Sequence, residues 1–254
     1  MASVLITGAS KGIGRGIAQE LAARGHRVIA TARNPATLED LEIDQRLRLD
    51  VTDADSVAAA VTAAGEIDVL VSNAGEIFYS SVEEIPIDRY RHLLELNTIG
   101  ALRVAQAVLP QMRERGSGRL LFLSSVAGRI TRPSGAAYAS TKWALEALVE
   151  AMAIEIDPLG LEAALLEPGA VSSGALDDVT LYTLPDDPYA FLRRDGGGPR
   201  DFISVGQVAA EVADAVEAEA LPLRIPVGDP ARRLLAARHA APEDTPFQPT
   251  PASA

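Results

Sequence analysis

Cysteine is absent from the 254 residues. That absence removes disulfides, thiolate zinc sites and cysteine nucleophiles at once. It is compatible with a cytoplasmic setting, which is the expectation here. Aromatic residues are scarce, at 4%, so a core has to be built from the abundant Ala, Val and Leu. The three histidines, His26, His92 and His239, stand far apart and share no metal-ligand spacing, so no metal is expected. No apolar run reaches membrane-spanning length, and the N-terminus has only the short stretch Val4 to Ile6, without a basic leader. Positive charge is in the minority, and the formal net charge is −12. An acidic surface disfavours nucleic acid and anionic membranes. A small molecule is the expected partner, and a local basic pocket for phosphate stays allowed.

What is present reads as a globular α/β protein. Hydrophobic residues make up 48% and charged residues 23%, as in ordinary soluble domains. The length suits one large domain or two small ones. With no internal repeat and no linker, one domain over residues 1–241 is expected, followed by a proline-rich tail, 242–254, expected to be disordered. Short apolar runs predict strands at Val4–Thr7, Arg27–Thr31, Arg46–Leu49, Ile67–Ser72, Arg119–Ser124, Leu161–Leu166 and Leu223–Pro226. Between them, Ala/Leu-rich segments predict helices over Ile13–Arg24, Ala54–Ala64, Arg89–Arg115, Tyr138–Ile156 and Val205–Ala218. Most of the strands lack strict alternation, as strands buried on both faces do. The alternation of strand and helix predicts a doubly wound parallel sheet of about seven strands with right-handed crossovers, a Rossmann-type fold. Residues 174–201 break the pattern, being rich in Asp, Pro, Gly and aromatics. Such an insertion is either a lid over a site or a disordered loop.

The first strand runs into Thr7-Gly8-Ala9-Ser10-Lys11-Gly12-Ile13-Gly14, and a helix comes next. Glycines permit a tight turn and close approach of a ligand. The free N–H groups and dipole of the helix start favour a pyrophosphate. The spacing is G-x-x-x-G-x-G rather than G-x-G-x-x-G. A plain strand–helix turn is the bland alternative, and the position after the first strand of a βαβ unit favours the dinucleotide. The second strand ends Ala30-Thr31-Ala32-Arg33. An NAD-selective site places Asp or Glu here, to bond the ribose hydroxyls. A neutral residue beside an arginine suits a 2′-phosphate instead, and Lys11 could add a second charge. These residues favour NADP(H) over NAD(H). Asp50, with Val51 after it, ends the third strand, where an acceptor could take the adenine amino group. The bland alternative is a cap for the next helix, a role that Thr52 or Asp53 would serve as well.

Tyr138 and Lys142 lie four apart on a predicted helix and share one face. A ketone under reduction needs a proton on oxygen as hydride reaches carbon. An unperturbed tyrosine, with a pKa of about 10, exchanges protons poorly at neutral pH. A lysine ammonium one turn away stabilises the phenolate. A unit charge at about 4 Å and an effective dielectric near 20 is worth about 4 kcal/mol, or roughly three pKa units. Ser125 lies just past the fifth predicted strand, at the edge where parallel sheets present ligand groups. Its hydroxyl could polarise the carbonyl, and on sequence alone Ser124 is a near-equal candidate. Asn97 falls on the apolar face of a long predicted helix, among Leu93, Leu94, Ala101, Val104, Ala105 and Val108. A buried amide must find partners, either backbone groups or an ordered water.

Taken together, Thr7-Gly8…Gly12-Ile13-Gly14, Asp50, Asn73-Ala74-Gly75, Asn97, Ser125, Tyr138…Lys142 and Pro168-Gly169 resemble the short-chain dehydrogenase/reductase family in order and spacing, over Thr7 to about Pro226. The likeness is to NADP-preferring carbonyl, hydroxysteroid and retinol-type members. It implies that Tyr138 is the proton donor or acceptor. Lys142 would lower its pKa and bind the nicotinamide ribose. Ser125, not Ser124, would orient the carbonyl, and Asn97 would hold a water in a relay to Lys142. Asn73, Ala74 and Gly75 would border the adenosine ribose. Pro168, Gly169, Val171 and Ser173 would face the nicotinamide, Ser173 standing where relatives often carry threonine. Ser72 replaces an asparagine common in the family. The insertion, with Leu176, Leu181, Tyr182, Leu184, Tyr189 and Phe191, would close over a hydrophobic substrate. The resemblance also implies a homotetramer or homodimer through the helices carrying Asn97 and Tyr138. The leading expectation is thus an NADP(H)-dependent carbonyl reductase. A 3-oxoacyl-thioester reductase is the alternative within the enzyme class, although no basic cluster offers itself to a phosphopantetheine carrier. A non-catalytic NADP-binding sensor is the alternative outside it, although such proteins tend to lose the tyrosine or lysine. A serine hydrolase is disfavoured by the lack of a G-x-S-x-G elbow.

Overall fold

A computed structural model describes residues 1–174, 179–194 and 201–247. Seven parallel strands form one sheet: β1 (Ser3–Ile6), β2 (Arg27–Ala32), β3 (Gln45–Arg48), β4 (Val69–Ser72), β5 (Gly118–Leu123), β6 (Leu161–Pro168) and β7 (Arg224–Val227). Their order across the sheet is β7-β6-β5-β4-β1-β2-β3, so the direction of winding reverses between β1 and β4. Ligand crevices form at such a reversal, outside the carboxyl ends of the strands.

Side-chain alternation along the strands divides the core into two layers. Val4, Ile6, Val28, Ala30, Leu121 and Leu123 point to one face. There they meet Ile17 and Leu21 of α1 (Gly12–Ala23), and Val208 and Val212 of a later helix, Val205–Glu217. Leu5, Ile29, Leu120 and Phe122 point to the other face. Those pack on α2 (Ala54–Ala64), on the long helical run that ends at Arg115, and on Leu145 and Val149 of the helix Ala136–Ile156. The central strands therefore have no polar face, which explains why their sequences show no alternation.

The predicted helix Arg89–Arg115 is corrected in one respect. It starts at Ile87 and consists of α3 (Ile87–Leu94), a π-helical turn over Glu95–Ile99 and α4 (Gly100–Arg115). A π turn inserts a residue and so rotates α4 around the axis relative to α3. The remaining helices are α5 (Ala136–Ile156), α6 (Val205–Glu217) and α7 (Asp229–Ala240), the last of which is absent from the helices the sequence predicts. Within the insertion, Thr180–Leu181 pairs in parallel with Phe78–Tyr79, and a short helical turn covers Phe191–Arg194. Leu176, the Gly196-Gly197-Gly198 run and tail residues 248–254 lie outside the described residues. No helix among the described residues is long and apolar enough to cross a membrane.

Candidate active site

The glycine-rich turn leaves β1 at the winding reversal and is locked to the end of β4. Thr7 accepts through its hydroxyl from the backbone N–H of Asn73 at 2.9 Å and of Ala74 at 3.0 Å. The Asn73 amide donates back to the carbonyls of Thr7 and Gly8. Gly8 adopts φ +70°, and a Cβ there would stand 2.8 Å from Ala74 Cα. A Cβ on Gly14 would stand 2.3 Å from Asn73 Nδ2. Both positions therefore exclude any side chain, for lack of room at each and for backbone strain at Gly8. Sequence reasoning does not single out Thr7 as an organiser. Its only signal is a buried hydroxyl at a strand end that needs a partner.

α1 begins directly after this turn. Lys11, at its N-cap, makes no side-chain cap, and the first turn holds no acidic residue. The helix start therefore keeps its donors and its positive dipole end for an anion. Ser173 lies over the turn, its carbonyl oxygen 3.5 Å from where a Cβ on Gly12 would sit. Val171, two residues before it, is buried in a short parallel pair with Ile203–Ser204. Ala9 donates to the carbonyl of Thr31 at the end of β2, which brings Arg33 to the same edge of the sheet. Arg33 is exposed. Asp50 accepts from the N–H and hydroxyl of Thr52. Burial pushes the Asp50 carboxyl up, but those two bonds and the charges of Arg33 and Arg48 outweigh it, and the group titrates below its ordinary value. Val51 is buried against Gly100, and its carbonyl accepts from Arg103. The anticipated dinucleotide residues Gly8, Ser10, Lys11, Asn73, Ala74, Gly169 and Ser173 fall on loops at the carboxyl edge of one sheet, with Gly12, Ile13 and Gly14 in the first turn of α1 and Pro168 at the end of β6.

The second cluster sits at the ends of β5 and β6. Ser125 and Ser124, indistinguishable in the sequence, have separate partners. Ser124 Oγ donates to Glu146 at 2.5 Å, which takes it out of play. Ser125 Oγ donates to the Pro168 carbonyl at 3.3 Å and accepts from the Ala127 N–H. Its hydroxyl also draws the pKa of the Tyr138 phenol down. Tyr138 and Lys142 do share one face of α5. Lys142 is only 5% exposed. Its Nζ donates to the Leu123 carbonyl at 2.7 Å and lies 5.8 Å from the centre of the Tyr138 ring.

Burial governs both titrations. Desolvation pushes the Tyr138 phenol up to about 12 despite the Ser125 hydroxyl. The same effect pushes the Lys142 ammonium down to about 8. Burial is the largest influence on the Tyr138 phenol.

Asn97 lies in the π turn and is 1% exposed. Its Oδ1 accepts from the Glu76 N–H, and its Nδ2 donates to the Glu76 carbonyl and to Thr141 Oγ1. Both side-chain donors are therefore occupied by protein groups. Gly75 packs against the same side chain. Thr98 Oγ1 donates to the Thr141 carbonyl, one residue before Lys142. Of the two partners open to Asn97 in the sequence, backbone groups and a neighbouring hydroxyl take its amide.

Residues 2–181 match the sequence profile of the short chain dehydrogenase family. The chain belongs to that family. Human 17-beta-hydroxysteroid dehydrogenase type 1 is 39% identical to it over 193 residues, covering 69% of this chain and 58% of the human enzyme. A short-chain dehydrogenase from Streptomyces avermitilis is 35% identical, with a TM-score of 0.81 over 94% of this chain and 93% of that one. A short-chain dehydrogenase from Burkholderia cenocepacia, solved in complex with NADP, is 25% identical, with a TM-score of 0.79 over the same shares. Family membership makes the protein an oxidoreductase of the class that acts on CH–OH and C=O groups and uses nicotinamide cofactors. Among the described residues, no group of three or more His, Asp or Glu side chains could hold a metal ion.

Proposed function

We propose that this protein is an NADP(H)-dependent oxidoreductase that interconverts a carbonyl, a hydrophobic ketone or aldehyde, with the corresponding alcohol. The observation that carries the reading is the convergence of Ser125, Tyr138 and Lys142 at the carboxyl edge of the sheet, beside an uncapped helix start.

The residues present fit a dinucleotide. Gly8, Gly12 and Gly14 make a turn without side chains, and the start of α1 offers donors to a pyrophosphate. Asp50 and Val51 would border the adenine, and Asn73, Ala74 and Gly75 the adenosine ribose. Lys142 would hold the nicotinamide ribose, while Pro168, Gly169, Val171 and Ser173 line the nicotinamide side. The pair Ala32-Arg33 replaces the acidic residue that would repel a 2′-phosphate, so the exposed Arg33, with Lys11, favours NADP(H) over NAD(H). When bound, the nicotinamide supplies the hydride in reduction and takes it up in oxidation.

The chain's own residues manage the proton. In reduction, the Ser125 hydroxyl donates to the substrate oxygen and polarises it. Tyr138 gives its phenolic proton to that oxygen as charge builds there. The Lys142 ammonium stabilises the phenolate left behind. Asn97 braces Glu76 and, through Thr141, the turn of α5 that carries Lys142. Tyr138 packs with Phe78 and Tyr182 in one apolar cluster. Phe78 and Tyr182 stack edge-on at 5.3 Å, and Leu181, Leu184 and Phe191 are exposed on the insertion. That lining suits a hydrophobic substrate under a lid. Ile99, Trp143 and Ile154 are exposed on the helical run and α5, which supports a homodimer or homotetramer through those helices.

The test is a binding titration with NADPH and with NADH, followed by NADPH oxidation with apolar ketones, aldehydes and acyl thioesters. Preferential NADPH binding with turnover of a ketone or aldehyde is expected. Binding of neither cofactor overturns the reading. Turnover restricted to acyl thioesters replaces the substrate class.

A further inference from the structure

Glu146 stands one turn after Lys142 on α5 and is 4% exposed. Its carboxylate is gripped from several directions. Oε1 accepts from Ser124 Oγ at 2.5 Å, and Oε2 accepts from Arg224 Nε of β7 at 2.9 Å. Gly128 lies so close that a Cβ on it would meet Glu146 Cγ at 2.9 Å. Gly128 also donates its N–H to the Ser125 carbonyl, closing the short 3-10 turn Val126–Gly128 that Ser125 caps. The Glu146 side chain thus touches the Ser125 loop at both ends, one residue before the serine and three after it.

We infer that Glu146 is a positioning residue for the proposed reaction: it holds the Ser124–Gly128 loop that presents Ser125, and its negative charge supports the ammonium of Lys142. The inference rests on the reading of the site given above. A buried ammonium needs a counter-charge, and Glu146 is the group that offsets the effect of burial on Lys142. Lys142 otherwise faces the Leu123 carbonyl of β5 and the Tyr138 ring on its own helix. Around Glu146 stand Arg224, with its second partner Glu150, then Glu167 of β6 and Arg129 beyond the 3-10 turn. Arg224 Nε lies 2.9 Å from Glu146 but 4.0 Å from Glu167. The ion pair therefore belongs to Glu146. Glu167 is pushed up to about 7, by burial first and by the Glu146 charge second.

The sequence offers a direct probe, because Lys11 and Lys142 are the chain's two lysines. Protein carrying 13C-labelled lysine gives two side-chain signals, and K11R assigns them. E146Q keeps the size and a hydrogen-bonding group but removes the charge. It is expected to lower the titration midpoint of Lys142 by about half a unit or more, the scale of one lost nearby charge. It should also reduce kcat by about tenfold or more, leave the KM for NADPH within about threefold, and move the alkaline limb of the rate profile with the lysine. S124A should reduce kcat without moving the lysine midpoint, since it loosens the loop and leaves the charge. A folded E146Q protein whose Lys142 midpoint is unchanged overturns the inference. So does an S124A protein with unchanged kcat, which decides the matter if E146Q fails to fold. The lysine titration needs no turnover, so it stands apart from any failure of the oxidoreductase reading.

Discussion

Lys142 donates its hydrogen bond to the carbonyl of Leu123, 2.7 Å away, and not to the hydroxyl of Tyr138. The strand end therefore holds the ammonium at a fixed place beneath the phenol, and both groups are shielded from water. A charge in such a place acts at low effective dielectric and needs no rearrangement when the phenolate forms.

In the proposed mechanism these two groups set the pH dependence of reduction, which requires Tyr138 protonated and Lys142 charged. In the free protein Lys142 loses its proton near pH 8, whereas Tyr138 keeps its own to about 12. Values of kcat/KM report free-enzyme groups. They should be level below about pH 7 and fall about tenfold per unit well above pH 8. A rise across pH 8 to 9 in the reductive direction would show that the ammonium is not required.

Removing the phenolic hydroxyl separates chemistry from binding. In Tyr138→Phe, kcat should fall about a hundredfold to ten-thousandfold, the range of general acid–base catalysis. The dissociation constant of NADPH, measured by titration, should stay within about threefold. Normal turnover in this variant would remove Tyr138 from the reaction.

On the proposed reading, Arg33 sets the choice of cofactor. Arg33→Ala should weaken NADPH binding by about tenfold to a hundredfold, the worth of a charge-assisted bond to phosphate. NADH binding should change by less than about twofold. Equal losses for both cofactors would exclude a 2′-phosphate contact.

Glu167 has one carboxylate oxygen buried without a hydrogen-bond partner. Its folded-state pKa is raised from 4.5 to about 7, by burial first and then by the Glu146 charge. A raised value means that its contribution to stability is complete below about pH 4.5 and is lost as pH rises through about 7. The loss is at most about 3 kcal/mol. Glu167→Gln lacks this titration. Relative to the parent, it should gain stability between pH 5 and pH 8 in urea unfolding. An equal difference at both pH values would mean that Glu167 titrates normally.

Much of this site is legible in the sequence because its geometry is local. The four-residue spacing of Tyr138 and Lys142 fixes a shared helix face, and Gly8 and Gly14 of the first turn stand where a Cβ has no room. The seven strands are legible because most of them are short apolar runs between helical segments. The rest depends on partners remote in sequence. Ser124 and Ser125 separate only through Glu146, twenty-two residues on from Ser124. The π turn at Glu95–Ile99 has no propensity signal, since Asn97 and Thr98 take their partners from Glu76 and Thr141. The helix Asp229–Ala240 carries a start signal in Asp229-Pro230. It escapes a reading by periodicity because Ala231 is its one buried residue among twelve, which leaves no apolar stripe.

The most direct test of the central claim tracks the hydride itself. NADPH carrying deuterium at the transferring position of the nicotinamide is incubated with the protein and an apolar ketone or aldehyde, and the product is weighed by mass spectrometry. The account predicts an alcohol with one deuterium on its carbinol carbon, formed by the parent protein and not by Tyr138→Phe. Bound NADPH that delivers no deuterium to any carbonyl tried, or equal delivery by the phenylalanine variant, would contradict it.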